Sequence, residues 1–151
     1  MIELERRWKL KEPPPEEIVT LRYTIYQAYI NTSKGIKTRI RKSVSNSDTW
    51  FSHCTKYYIG ENAREEFEVL MDENQFNLIL SLYPSVTMEI KNRTVVTLPE
   101  GGTIVEIDEY QNGDVVVEVE FYDLEVMKSF IPPTWFGEEI KDKKFSVKSI
   151  W

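Results

Sequence analysis

The residues in this sequence that are best suited to do chemistry are carboxylates that occur in pairs, with one residue between the two members. The pairs are Glu3/Glu5, Glu66/Glu68, Glu106/Asp108 and Glu118/Glu120. Each pair lies in a segment that alternates apolar and polar residues. Because residues i and i+2 share one face of a β-strand, each pair projects two negative charges side by side. Hard divalent cations prefer such oxygen ligands.

Basic residues follow the same spacing in Arg39/Arg41 and Lys91/Arg93. At a separation of about 6 Å and an effective dielectric of about 20, two like charges repel each other by roughly 2.8 kcal/mol. A fold that gathers many such pairs therefore needs ions to balance them. The pattern predicts a site for a divalent metal and a highly charged anion.

The elements that must position these pairs are mostly strands. Alternation predicts strands over 2–10, 22–31, 36–44, 49–59, 65–71, 87–98, 103–111 and 114–122. Helices are predicted over 72–83, 124–130 and 135–141, with Asp72 and Asp123 as N-caps and a further short helical turn opening at Glu16. Asn112-Gly113 predicts a two-residue hairpin turn. Eight mostly antiparallel strands with few short helices favour a closed or nearly closed barrel, which leaves no exposed edge.

Two structures satisfy the alternation. In strand 114–122, Val117 and Val119 lie on one face, and Glu118 and Glu120 lie on the other. The charged face of a sheet is usually solvated, which favours an apolar core with charges outside. The alternative is an inverted barrel whose charged faces line a central tunnel and whose apolar faces are covered by helices. Periodicity alone does not choose between these structures.

Composition narrows the function classes. The 151 residues are 41% hydrophobic and 29% charged, so we expect one folded domain over residues 1–151. The net charge of −6 argues against a nucleic acid partner. No apolar stretch reaches membrane-spanning length and no signal peptide is evident, so no membrane partner is expected. The lone Cys54 allows no internal disulfide and predicts a reducing cytoplasm. The sequence has no P-loop and no dinucleotide-binding glycine motif.

An ordered series of motifs then identifies a family. The segment Glu3-Leu4-Glu5-Arg6-Arg7 resembles the ExExK signature of the CYTH superfamily, the triphosphate tunnel metalloenzymes. The resemblance continues in order through segments 27–29, 37–41, 64–68, 89–93, 106–108, 117–121 and 130–139. The closing Pro-Pro-x-Trp-Phe-Gly-Glu-Glu is similar to the small bacterial members, which are related to class IV adenylyl cyclase and thiamine triphosphatase.

The resemblance implies an eight-stranded antiparallel tunnel with a charged interior. It also implies a metal-dependent triphosphatase that hydrolyses inorganic tripolyphosphate, or a related organic triphosphate, with Mg²⁺ or Mn²⁺. The alternatives are a class IV adenylyl cyclase that converts ATP to cyclic AMP and pyrophosphate, a thiamine triphosphatase, and a non-catalytic binder of polyphosphate or nucleotide. A plain structural protein is a last alternative. Small relatives are often homodimers.

The resemblance also assigns roles to residues. The implied metal ligands are Glu3, Glu5, Glu118 and Glu120. The implied substrate-binding residues are Arg39, Arg41, Lys56, Lys91 and Arg93, and the implied secondary tunnel residues are Glu66, Glu68, Glu106 and Asp108. Lys37 and Arg64 share the inward face and are expected at the tunnel mouth, and His53 is expected in packing or at the surface.

Arg7 and Lys56 are the candidate catalytic residues. The family usually has lysine at the third signature position, where this chain has Arg7. Arginine keeps the positive charge but does not release its proton near neutral pH. If that lysine normally helps to activate water, this chain must use another base or depend on the metal.

Overall fold

The computed structural model describes residues 2–33, 35–60 and 63–141, and these form nine strands and two α-helices. The strands are Ile2–Leu10 (β1), Val19–Ser33 (β2), Ile36–Val44 (β3), Thr49–Gly60 (β4), Ala63–Met71 (β5), Glu89–Thr97 (β6), Ile104–Tyr110 (β7), Val115–Phe121 (β8) and Phe136–Glu139 (β9). The helices are Glu73–Leu82 (α1) and Leu124–Ser129 (α2). Within these ranges, no helix has the length and hydrophobicity that a membrane span requires.

Eight of the strands close into an antiparallel barrel. Their order is β5-β4-β3-β2-β6-β7-β8-β1, and pairing of β1 with β5 completes the circle. The predicted eight-stranded closed barrel is therefore confirmed. Closure is brief, because β5 pairs with β1 only over Ile2–Leu4. The remaining part of that β1 edge pairs with the ninth strand, β9, at Trp8 and Leu10.

The barrel is inverted, with its hydrophobic clusters outside the wall and its charges inside. Val117 and Val119 are fully buried on the outer face of β8, where they pack with Trp8 and the aromatic residues that follow α2. A second outer cluster centres on Ile40 and Phe76, which joins α1 to the wall. The inner face of the same strands carries the paired charges, so the choice that periodicity left open is resolved in favour of the tunnel.

The helix predicted over 135–141 is wrong, because this segment contains the strand β9. Trp135 and Phe136 are buried on the outer wall, with ring centroids 4.7 Å apart. A Cβ atom on Gly137 would lie 2.9 Å from the carbonyl oxygen of Lys9, so only glycine allows this close approach to β1. The segment becomes a strand because an edge of β1 is available for pairing.

Smaller differences concern the first helical turn and the covering of the wall. The turn near Glu16 is a three-residue 3₁₀-helix over Glu16–Ile18, and β2 begins directly after it, three residues earlier than predicted. The N-caps are confirmed, since the side chains of Asp72 and Asp123 accept hydrogen bonds from the first turns of α1 and α2. Helices cover only part of the outer wall, however, because Phe67 and Val69 on β5 are 56% and 60% exposed.

Candidate active site in the tunnel

The barrel encloses a cavity of about 380 Å³ that is lined mainly by charged side chains. The predicted site residues that line it are Arg7, Arg39, Arg41, Lys56, Glu66, Glu68, Lys91, Arg93, Glu106, Glu118 and Glu120. Three other predicted residues, Glu3, Glu5 and Asp108, lie behind this surface and are at least 95% buried. The structure therefore brings all the predicted site residues to one place.

One side of the tunnel is an acidic wall, formed by Glu3 and Glu5 on β1, Glu106 on β7, and Glu118 and Glu120 on β8. Strand register sets Glu5 directly opposite Glu120, and Glu106 directly opposite Glu118. Like charges in such positions repel each other unless a cation lies between them.

Two overlapping groups in the acidic wall have the donor set of a metal site. One carboxylate oxygen from each of Glu3, Glu5 and Glu118 lies within 4.8 Å of the other two. The same holds for Glu106, Glu118 and Glu120. Glu118 belongs to both groups. Carboxylates that converge in this way fit a hard divalent cation such as Mg²⁺ or Mn²⁺.

Basic side chains are interleaved with these acids. Arg64 Nη2 donates to Glu3 at 2.5 Å and also to Glu5. Arg7 Nε lies 3.1 Å from Glu118 Oε2 and 3.2 Å from Glu5 Oε1. Lys56 Nζ lies 3.8 Å from Glu3 and 3.7 Å from Glu66. These contacts hold the carboxylates in place in a buried setting.

The cations do not balance the acidic wall completely. Burial, with the charges of Glu3, Glu106 and Glu118, raises the pKa of Glu120 to about 8. Burial and the charge of Glu118 raise the pKa of Glu5 to about 7. Burial also disfavours the Glu118 charge, but Arg7, Arg64 and Lys56 outweigh it and lower the pKa of Glu118. The crowded wall thus keeps protons at neutral pH that a bound divalent cation would displace.

The opposite side is a basic wall, formed by Arg39 and Arg41 on β3 and by Lys91 and Arg93 on β6. Arg93 donates to both oxygens of Asp108, at 2.7 and 2.8 Å, and to Glu106 at 2.9 Å. Lys91 Nζ lies 2.8 Å from Asp108. These contacts orient the cations toward the cavity. A guanidinium fork of this kind suits a phosphate group.

The basic wall has hydrogen-bonding capacity left for an anion. Arg39 contacts Glu68 at 3.2 Å through Nη2, yet its buried Nε has no hydrogen-bond partner among the described residues. Burial, followed by the neighbouring arginines, lowers the pKa of Arg41 to about 10. Burial lowers the pKa of Lys91 to about 8 despite the charge of Asp108. An anionic ligand would satisfy the Arg39 donor and stabilise the charged forms of Arg41 and Lys91.

Some residues of the tunnel were placed wrongly or missed. Arg64 lies deep between Glu3 and Glu5, not at the mouth, and the depth follows from the short β1–β5 pairing. Tyr110 lines the cavity, as its place on the same face as Glu106 and Asp108 predicts, whereas Tyr29 lines the cavity without having been predicted to do so. The inward parity of its strand was the available signal. His53 is half-buried and does not line the cavity.

Comparison with known proteins agrees with this arrangement, although no family model matches the sequence. An inorganic triphosphatase of Nitrosomonas europaea is 30% identical over 160 residues, which span 99% of this chain and 97% of that protein. The chain belongs to the same family as that protein, the CYTH superfamily of triphosphate tunnel enzymes.

Solved structures share the CYTH fold. A crystal structure of an inorganic triphosphatase is 29% identical, with a TM-score of 0.64, and the match covers 97% of this chain and 92% of that one. A Hippeastrum protein, described as a putative adenylyl cyclase with dominant triphosphatase activity, is 16% identical, with a TM-score of 0.61 and coverage of 98% and 95%. At this low identity the second similarity concerns the fold alone.

Proposed function

We propose that this CYTH protein is a metal-dependent triphosphatase that hydrolyses inorganic tripolyphosphate, or a related organic triphosphate, to release phosphate. The observation that carries the proposal is that an acidic wall and a basic wall face each other across one closed cavity. The full-length similarity to a protein named inorganic triphosphatase supports the same substrate class.

The basic wall would bind the phosphates. Arg39, Arg41 and Arg93 would donate paired hydrogen bonds to phosphate oxygens, and Lys91 would add a compact charge. Phosphoryl transfer depends mostly on alignment and on stabilisation of charge on the transferred group. Cations held by buried acids, as Arg93 is held by Asp108, are oriented before the substrate arrives.

The acidic wall would hold the metal, with Glu3, Glu5, Glu118 and Glu120 as ligands and Glu106 as a further carboxylate. When bound, Mg²⁺ or Mn²⁺ supplies positive charge to the phosphoryl oxygens and orders water. Arg7 bridges Glu5 and Glu118, so we assign it the positioning of these carboxylates. Lys56 lies between Glu3 and Glu66, at the side of the acidic wall, and lines the cavity, so we assign its ammonium to a phosphate of the substrate.

In the proposed reaction, water attacks the terminal phosphorus of tripolyphosphate. The bond from that phosphorus to the bridging oxygen breaks, and the products are phosphate and pyrophosphate. The chain's own residues would bind the three phosphates and align the terminal phosphorus.

A panel of substrates tests the proposal. Tripolyphosphate, thiamine triphosphate, ATP and GTP are each incubated with Mg²⁺, Mn²⁺ or Co²⁺, and phosphate and cyclic AMP are both measured. We expect phosphate release from tripolyphosphate to be the fastest reaction and to require a divalent ion. Formation of cyclic AMP and pyrophosphate as the main activity would identify a cyclase instead. Tight binding without turnover in any metal would identify a binder.

The cellular setting is also part of the proposal. Cys54 is a free, buried thiol, which supports a reducing cytoplasm. The small-molecule triphosphate is the proposed partner. A homodimer stays a prediction.

A further inference from the structure

Gln27 is a fully buried polar residue that has no role in the site described so far. It lies on β2 between the two strands of the basic wall, with Arg41 of β3 on one side and Glu89 of β6 on the other. Only 1% of its surface is exposed, and it stands behind the cavity surface. Burial of an amide costs free energy unless the amide is hydrogen-bonded, so hydrophobic packing alone does not explain Gln27.

The hydrogen bonds of Gln27 fix the orientation of its amide. Arg41 Nε and Nη2 both donate to Gln27 Oε1, at 2.9 and 2.6 Å. Gln27 Nε2 donates to Glu89 Oε1 at 2.5 Å. Because a guanidinium only donates and an ionised carboxylate only accepts, the opposite orientation would lose all three bonds. Glutamine is thus the side chain that separates a cation from an anion while bonding to both.

Arg41 has a neutral hydrogen-bond acceptor beside it, whereas six other cations of the tunnel have a carboxylate. A carboxylate lies within 4.0 Å of each of Arg7, Arg39, Lys56, Arg64, Lys91 and Arg93. Among the residues that the structure describes, no carboxylate lies that close to Arg41, whose Nε and Nη2 meet a neutral oxygen. Arg41 is therefore held in place without being neutralised.

We propose that Gln27 is a positioning residue that keeps Arg41 fixed and un-neutralised, so that its charge is available to the phosphate oxygens of the substrate. Gln27 also keeps Glu89 apart from Arg41, since both neighbours bond to its amide. This inference rests on the proposed function, because it assumes that the ligand is a polyphosphate anion. It adds a residue that controls substrate affinity from behind the cavity.

Two variants separate neutralisation of Arg41 from loss of packing. The double variant Gln27→Glu, made together with Glu89→Gln so that residue 89 can still donate a hydrogen bond to residue 27, keeps the size, the acceptor toward Arg41 and the net charge, but moves the negative charge beside Arg41. Gln27→Met keeps the size, removes every hydrogen bond of the side chain and adds no charge. A merely structural role predicts that the methionine variant is the more damaged of the two. If Gln27 instead keeps Arg41 un-neutralised, the double variant should bind the substrate more weakly than Gln27→Met does.

The measurement is metal-free binding of tripolyphosphate by calorimetry, together with KM, kcat and the melting temperature. We expect the double variant to weaken binding by about 30-fold and to raise KM more than it lowers kcat. We expect Gln27→Met to weaken binding by about fivefold but to lower the melting temperature more. Asn92→Asp, the same amide-to-acid change at an exposed position of β6, is the matched control and should leave binding unchanged.

Binding by the double variant within threefold of wild type would overturn the inference, and so would weaker binding by Gln27→Met than by the double variant. If the double variant does not fold, Glu89→Gln alone gives the second test. We expect that variant to bind within threefold of wild type, because the Gln27 amide already separates Glu89 from Arg41. A tenfold gain in affinity would show that Glu89 was neutralising Arg41.

The same data separate this inference from the proposed function. Turnover of tripolyphosphate by wild type, with equal affinity in the double variant, retains the triphosphatase and removes the role of Gln27. Binding that follows the expected order, without turnover in any metal, retains the role of Gln27 and removes the triphosphatase.

Discussion

The two walls of the tunnel carry opposite charges, and in neither wall are the charged side chains fully balanced by their neighbours. In the acidic wall, neighbouring carboxylates crowd one another, and the pKa values of Glu5 and Glu120 rise to about 7 and 8. In the basic wall, burial lowers the pKa values of Lys91 and Arg41, and the buried Nε of Arg39 has no partner among the described residues. The first wall therefore favours a bound cation, and the second favours a bound anion. The difference indicates a site prepared for two ligands of opposite charge.

Removing a carboxylate from the acidic wall should have the largest effect. Glu120→Gln is expected to reduce metal-dependent phosphate release by about 1000-fold. The fold should survive, because the pKa of Glu120 is about 8 and the neutral amide resembles the protonated acid present at pH 7. Phosphate release with Mg²⁺, Mn²⁺ and Co²⁺ and the melting temperature are the measurements. Glu100→Gln, in an exposed turn, is the control. Full activity of Glu120→Gln in all three metals would remove this residue from the metal site.

Removing a cation from the basic wall should act mainly on binding. Arg41→Ala is expected to raise KM for tripolyphosphate by about 100-fold and to change kcat much less, because it removes charged hydrogen bonds to the substrate. Steady-state kinetics with saturating metal measure the two constants separately. Arg22→Ala, which breaks an exposed ion pair with Glu16, should leave both unchanged. A fall in kcat with constant KM would place Arg41 on the transferred phosphoryl group instead.

The lysines of the basic wall predict a pH dependence of binding. Burial lowers the pKa of Lys91 to about 8, and that of Lys37 to about 8. The anion prefers the charged form, so loss of the Lys91 charge should weaken metal-free affinity for tripolyphosphate by up to about tenfold per pH unit above pH 8. Calorimetry between pH 7 and 9.5 tests this. Lys91→Arg should remove the part of the fall that Lys91 causes, because the titrations of tripolyphosphate and of Lys37 are common to both proteins and cancel in the comparison. Identical profiles would show that Lys91 does not face the anion.

The smallest effect is expected at Arg7, the residue that departs from the family signature. Arg7 contacts Glu5 and Glu118, and lysine at this position can keep one of these contacts. We expect Arg7→Lys to change kcat by less than about threefold, since lysine keeps a positive charge beside Glu5 and Glu118. The rate of phosphate release between pH 6 and 9 is the measurement. A rise of tenfold or more would indicate that position 7 normally supplies a base that this chain has lost.

Local sequence patterns predicted the strand faces and the helix starts of this protein. Alternation placed Val117 and Val119 on one face of β8 and Glu118 and Glu120 on the other, and N-cap chemistry located Asp72 and Asp123. Alternation could not say which face turns inward, because burial of a face is decided by barrel closure. The order of motifs along the chain supplied that answer.

What the sequence did not predict depends on long-range pairing. The strand β9 forms because an edge of β1 is available beside Gly137, and nothing within residues 135–141 encodes that edge. Arg64 has the right parity, but its depth beside Glu3 and Glu5 depends on the register of β5 against β1. The links from Gln27 to Arg41 and to Glu89 likewise require the alignment of three strands. Such registers follow from tertiary contacts rather than from any single window of residues.

The position of β1 in the barrel has a consequence for biosynthesis. Its pairing with β8 joins residues as distant as Arg7 and Glu118, which are 111 residues apart, and only Ile2–Leu4 have an earlier partner, in β5. At about 5–20 residues per second, a ribosome needs roughly 5–20 s to make the intervening chain. During that interval Glu5 and the part of β1 beyond Leu4 lack their partner in β8. Assembly of the cavity therefore waits until β8 has been synthesised, which limits how early this protein can acquire activity.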